Sequence, residues 1–177
     1  MEVSEKILAK ARRIKLILMD ADGVLTEGKV TYGDGNLELK SFDVKDGAGI
    51  DLARKAGIRT GIISGRQSGA LQRRAKELRI DEVHQKVINK VEVYKEILGR
   101  YSLRDEEVAY IGDDILDLPL LLRVGLSAAV ADAHPEVKKR VDLVTTSTGG
   151  QGAVRELIEF ILRAQGRWDT IVQEFLS

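Results

Sequence analysis

The sequence predicts a doubly wound α/β fold of three α/β/α layers around a parallel sheet. Three observations carry that prediction. Short apolar runs, rich in β-branched residues, alternate with longer segments of helical period. The runs are nearly continuous rather than alternating, as in strands covered on both faces. The 177 residues suffice for one full core, so 1–177 is expected to be a single domain.

The elements follow in order. The N-terminal stretch MEVSEKILAKARRIK is charged and helical in pattern. The first run, 14–19, stops abruptly at Asp20-Ala21-Asp22-Gly23. Residues 28–42, GKVTYGDGNLELKSF, break the rhythm: two strands flank Gly33-Asp34-Gly35-Asn36, residues that tolerate positive φ. An inserted β-hairpin over 28–43 is therefore expected. Helical segments follow at 49–56, 69–78, 90–101 and 115–122, the third with Val91, Tyr94 and Leu98 at helical spacing. Between and after them come strands at 58–63, 108–111, 126–130 and 141–144. Gly149-Gly150-Gln151-Gly152 reads as a flexible lead into a helix from Ala153, and 166–177 as an amphipathic tail.

Composition excludes several classes. Lys plus Arg number 28 and Asp plus Glu 28, so no basic excess exists for a nucleic-acid surface. Cysteine is absent, which removes disulfides, thiolate ligands and thiol nucleophiles. The N-terminus has no apolar signal region, and no apolar run approaches membrane-spanning length. A cytoplasmic protein with no membrane partner is expected.

In doubly wound sheets, ligands bind at the carboxyl ends of the strands. Asp20 and Asp22 fall at such an end. If extended geometry persists through Ala21, both side chains project the same way. Two carboxylates at one rim repel and lose hydration unless a cation intervenes, and a hard ion such as Mg²⁺ suits them. The strand at 58–63 ends in Ser64-Gly65-Arg66, Asn89-Lys90 opens a helical segment, and Gly112-Asp113-Asp114 follows the strand at 108–111 with Asp117 one turn later. A carboxylate pair, a hydroxyl, a lysine and a second carboxylate cluster suit phosphoryl transfer. An aspartate attacks phosphorus, the hydroxyl and lysine hold phosphate oxygens, and Asp22 protonates the leaving alkoxide. Taken singly, each feature has an ordinary explanation: Asp-Gly and Ser-Gly make turns, Lys90 a solvated charge, Asp113-Asp114 a helix cap. Their order raises the functional reading above these. His84 and His134 read as polar loop residues, Trp168 as a packing residue, and Lys138-Lys139-Arg140 as a solvated face.

DADGVLT, IISG, NK and IGDDILD resemble, in order, the four motifs of the haloacid dehalogenase superfamily of phosphatases, over roughly residues 14–165. FDVKDGAGI (42–50), SGR (64–66), VGLSAAVADAHPEVK (124–138) and GGQGAVRELIEFILRAQG (149–166) resemble its capless family of 3-deoxy-D-manno-octulosonate 8-phosphate phosphatases. The resemblance implies an Mg²⁺-dependent phosphomonoesterase without a cap domain, working through an aspartyl-phosphate in lipopolysaccharide precursor synthesis. It implies that Asp20 is the nucleophile and a metal ligand, and that Asp22 is the acid/base whose backbone carbonyl reaches the metal. Ser64 and Gly65 would bind phosphate, Lys90 would neutralise charge, Asp113 would hold metal, and Asp114 and Asp117 would support it. The loop Asp43-Val44-Lys45-Asp46-Gly47 would contact the sugar acid, with Arg66 and Arg74 near its carboxylate. The hairpin would build a homotetramer, with a neighbour's hairpin and tail covering the site. Two departures stand out: Ala21, where relatives often carry valine, and Asp51, where they often carry a basic residue. The alternatives are a 2-keto-3-deoxy-nononate 9-phosphate or other sugar phosphate phosphatase and, in another class, a non-catalytic tetramerisation module.

Overall fold

A computed structural model describes residues 4–35 and 37–176; Asn36 of the expected turn, residues 1–3 and Ser177 lie outside them. After helix α1 (Glu5–Ala11) comes strand β1 (Leu16–Met19), then β2 (Thr31–Tyr32), β3 (Glu38–Leu39) and α2 (Val44–Lys55). Next are β4 (Arg59–Ile63), α3 (Gly69–Glu77), β5 (Glu82–His84), α4 (Lys90–Tyr101) and β6 (Val108–Gly112). The chain finishes with α5 (Leu118–Leu121), β7 (Leu126–Ala129), α6 (Pro135–Lys138), β8 (Leu143–Val144), α7 (Ala153–Ala164) and α8 (Trp168–Glu174).

Six strands form one parallel sheet in the order β5-β4-β1-β6-β7-β8. All four side chains of β1 are buried, which is why its sequence is apolar without alternation. β1 lies between β4 and β6, so the order reverses beside it and the crevice at its carboxyl end is the expected ligand site. Helices lie in the connections between the parallel strands, as parallel pairing requires. α2 packs on α7, which also contacts α1 and α8, while α4 packs on α5.

β2 and β3 form the expected hairpin, antiparallel with Tyr32 opposite Glu38 and far shorter than 28–43. No cap domain accompanies it among the described residues.

The structure departs from or adds to the expected elements at several points. The helix placed at 49–56 begins at Val44, because the Asp43 side chain accepts from Lys45 N at 2.6 Å and caps it. Residues 43–47 are thus a helix start rather than a loop. β5 was not anticipated because its Glu82 and His84 are polar. Glu82 is nevertheless buried, held by Arg100 Nη1 (2.6 and 2.7 Å), Tyr101 Oη (2.8 Å) and His84 Nε2 (2.7 Å).

The glycine-rich lead into α7 is close-packed, not flexible. A Cβ on Gly149 would lie 1.8 Å from the Gly23 carbonyl oxygen, and Gly150 N donates to Val24 O at 2.9 Å. The tail forms α8 against its own chain, with Phe175 and Leu176 left exposed. Ile171 is buried, Trp168 receives Arg163 at 4.4 Å and Arg155 at 5.6 Å over its ring, and Lys55 stands 4.7 Å over Phe175.

Candidate active site

The loop after β1 coils around one carbonyl. Ala21 O accepts from Leu25 N at 3.0 Å and Thr26 N at 3.2 Å, with the Thr26 hydroxyl at 3.4 Å. Asp20 stays in register with the sheet through its N–H to Ile111 O at 3.1 Å. Gly23 takes φ +92°, and a Cβ there would fall 2.1 Å from Asp113 Oδ2. Only glycine allows the two acidic loops to approach so closely.

Oxygens of Asp20, Asp113 and Asp117 lie within 4.8 Å of one another. Lys90, the first residue of α4, reaches in from the far side. Its Nζ donates to Asp20 Oδ1 at 2.8 Å, Asp117 Oδ1 at 2.7 Å and Tyr110 Oη at 3.1 Å. Asp117 accepts from Tyr110 Oη at 2.6 Å through Oδ1, and from the Asp113 and Asp114 amides at 3.0 and 3.3 Å through Oδ2. Asp117 thus fastens Lys90 to the loop after β6. Asp114 is exposed and caps the following turn, accepting from Ile115 N at 2.5 Å.

Three carboxylates face one ammonium, and their protonation reflects it. Burial first, then Asp117, push Asp20 up to about 6 against the opposing pull of Lys90. Burial, then Asp20 and Asp117, push Asp113 up to about 7. For Lys90, burial alone would lower the ammonium, but Asp20 and Asp117 together hold it above its ordinary value. Burial and the charge of Asp117 hold the Tyr110 phenol protonated. Such a cluster is short of positive charge, and a divalent cation on its hard oxygens would supply it.

The Asp22 carboxylate lines the same cavity but meets other cations. Its Oδ1 pairs with Lys40 Nζ, whose side chain is 1% exposed, and its Oδ2 lies 3.5 Å from Arg66 Nε. That separation is an ion pair without hydrogen-bond geometry. Ser64 is buried, and its Oγ accepts from Arg66 N at 3.3 Å. Asp20, Asp22, Ser64, Gly65, Arg66, Lys90 and Asp113 share one open cavity of about 670 Å³, with Ile88 and Leu116 exposed on its rim.

Other expected contacts are not brought to that cavity. Val44 and Lys45 are exposed on the first turn of α2. Asp46 is buried, accepting from Gly152 N at 3.3 Å and Arg155 N at 2.9 Å, so it serves α7. Arg74 pairs with Glu77 at 3.5 Å and, with Val44 and Gly47, lines a separate cavity of about 480 Å³. Asp43 caps α2 beside a third, small void that also includes Asp46, Gly47 and Arg74. The helix start at Val44 fixes this outcome: the first turn leaves Val44 and Lys45 exposed and turns Asp46 to the start of α7. Conversely, sequence reasoning missed Glu38 and Lys40, which the hairpin delivers to Arg66 and Asp22. Their period-two spacing on one strand face was the available signal.

Residues 74–158 match the model of the haloacid dehalogenase-like hydrolase family. The chain is 43% identical over 167 residues to the 3-deoxy-D-manno-octulosonate 8-phosphate phosphatase KdsC of Escherichia coli (strain K12), covering 94% of this chain and 89% of that one. It is similar to the crystal structure of the Yersinia pestis 3-deoxy-D-manno-octulosonate 8-phosphate phosphatase, with TM-score 0.93, 41% identity and coverage of 94% and 90%. The Moraxella catarrhalis phosphatase of the same name, solved with a magnesium ion, a phosphate ion and a KDO molecule, matches with TM-score 0.94, 38% identity and coverage of 96% and 98%.

Proposed function

Since the chain belongs to the 3-deoxy-D-manno-octulosonate 8-phosphate phosphatase family of haloacid dehalogenase-like hydrolases, we propose that it hydrolyses that ester to the free sugar acid and phosphate, with Mg²⁺. The observation that carries this reading is the convergence of Asp20, Lys90, Asp113 and Asp117 at the carboxyl end of β1.

The donors fit a magnesium ion, since the crowded carboxyls of Asp20 and Asp113 titrate near neutrality without one. Asp20, Asp113 and the Asp22 backbone carbonyl would hold it. When bound, it supplies positive charge that keeps those carboxylates ionised and draws electron density from the phosphoryl group. Asp20 attacks phosphorus, and the bond from phosphorus to the sugar oxygen breaks. Asp22 gives its proton to the departing alkoxide. It then takes a proton from the water that attacks the aspartyl-phosphate, releasing phosphate and restoring Asp20. Ser64 and the amide of Gly65 hold phosphoryl oxygens, and Lys90 balances the charge that develops on them. Arg66, at the mouth of the cavity, offers its planar fork to the sugar-acid carboxylate.

The chain acts as one domain, and four hairpins associate through exposed Tyr32, Leu37 and Leu39 in a homotetramer. No described helix is long and apolar enough to cross a membrane, which accords with a cytoplasmic enzyme.

Asp20→Asn tests the chemistry: release of phosphate from the octulosonate ester should fall to background, and sustained turnover would end the proposal. Comparing kcat/KM on octulosonate 8-phosphate and nononate 9-phosphate tests the substrate, with the octulosonate expected to be preferred.

A further inference from the structure

We propose that Glu38, reaching in from the hairpin, is an internal carboxylate that competes with the substrate's own for Arg66. In this role it tempers the hold of the site on carboxylate ligands and eases release of the sugar-acid product. The inference rests on the reading of Arg66 given above and deepens it.

Residues 37–40 alternate. Leu37 and Leu39 are 51% and 53% exposed, whereas Glu38 and Lys40 turn inward. Lys40 is engaged by Asp22 and withdrawn from solvent, so its charge is not offered to a ligand. Arg66 remains partly open, with a side chain 44% exposed. Its Nη2 donates to Glu38 Oε2 at 3.2 Å and to Tyr32 Oη at 3.4 Å. Glu38 thus lies where an incoming carboxylate would meet the guanidinium.

The grip of Glu38 is incomplete. Its Oε1 is buried and has no hydrogen-bond partner among the described residues. A carboxylate fixed by one oxygen is a weaker partner for arginine than one meeting the fork with two. A ligand carboxylate can therefore displace Glu38, and Glu38 can return when the product leaves. A ligand without a carboxylate gains nothing from Arg66 and leaves the pair in place.

The test uses two phosphate esters that differ chiefly in one carboxylate, 6-phosphogluconate and glucitol 6-phosphate. Each is measured as a competitor of p-nitrophenyl phosphate hydrolysis by the full chain with Mg²⁺. The wild-type protein should bind the carboxylate member more tightly. Glu38→Gln should widen that preference by about three- to fivefold, the range of an exposed ion pair. In an Arg66→Gln background the same change should do nothing. Weaker binding of 6-phosphogluconate by Glu38→Gln, an unaltered preference, or a parallel shift of both competitors would overturn the inference. A wild-type protein that binds both equally, with no response to Arg66→Gln, would instead remove Arg66 from the carboxylate and the inference with it.

Discussion

Lys90 shows how much a single residue can hold. Its ammonium bridges Asp20 and Asp117 at 2.8 and 2.7 Å and is, among the described residues, the cation paired with those two carboxylates. Lys90→Met should lower kcat about 10²- to 10³-fold, as the loss of one preorganised charge partner does elsewhere, while phosphate release at saturating Mg²⁺ reports the deficit. A variant within threefold of wild type would place Lys90 outside the chemistry. Asp20, Lys90 and Asp113 were legible in the sequence because each follows an apolar run or opens a helix, and topology alone brings such positions to one rim. Glu38 and Lys40 were not, because no motif marks a hairpin side chain and its aim depends on how the hairpin is set against the sheet. Arg74 was implied by resemblance alone, and on α3 it lines a cavity other than that of Arg66. Along that helix Arg74 turns to Gly47, where a Cβ would sit 2.2 Å from its Nη2.

At the scale of elements, α7 is preceded by Gly152, which has no side chain with which to cap it, and α2 lends Asp46 instead. Burial raises the Asp46 carboxyl above its ordinary value, against the amides of Arg155 and Gly152 that favour its charge. Asp46→Ala leaves those amides unpaired and should cost about 1–3 kcal/mol. The melting temperature would then fall by roughly 4–8 °C for ~2 kcal/mol in a chain of this size; an unchanged melting curve would discount the cross-helix cap. This contact joins residues more than a hundred positions apart, and no local pattern could have announced it. The hairpin was legible from its turn residues, though its strands are only two residues each. Its exposed Leu37 and Leu39 make the proposed tetramer testable. Replacing both with glutamate should shift the sedimenting species from tetramer to smaller forms, and a tetramer that persists would locate the interface elsewhere.

For the whole molecule, the acidic centre ties stability to pH and metal. Without an ion, Asp20 at about 6 and Asp113 at about 7 titrate above the 3.8 of an ordinary aspartate. The native state then keeps protons that the unfolded chain has released. Stability from this source is fully present below about pH 4 and is lost as pH rises through 6 and 7. Mg²⁺ competes with those protons, so it should raise the melting temperature more at pH 8 than at pH 5 relative to protein in chelator. Equal gains at both values would argue against an ion among these carboxylates. The α/β class and the place of Asp20 at a strand end were readable from apolar runs, while the strand order around β1 and the packing of the glycines at 149 and 150 were not. Glycine before a helix looks like slack in a sequence, and only the proximity of the Gly23 backbone shows it to be contact.

The position of β1 has a consequence for synthesis. Leu16 pairs with Arg59 on one side and Val108 on the other. The strand that leads to Asp20 precedes both of its neighbours in the chain, and gains the second only after the segment through Gly112 has been made. A chain cut short of that segment carries Asp20 without Asp113 beside it, so the site is complete only when both neighbours of β1 are in place.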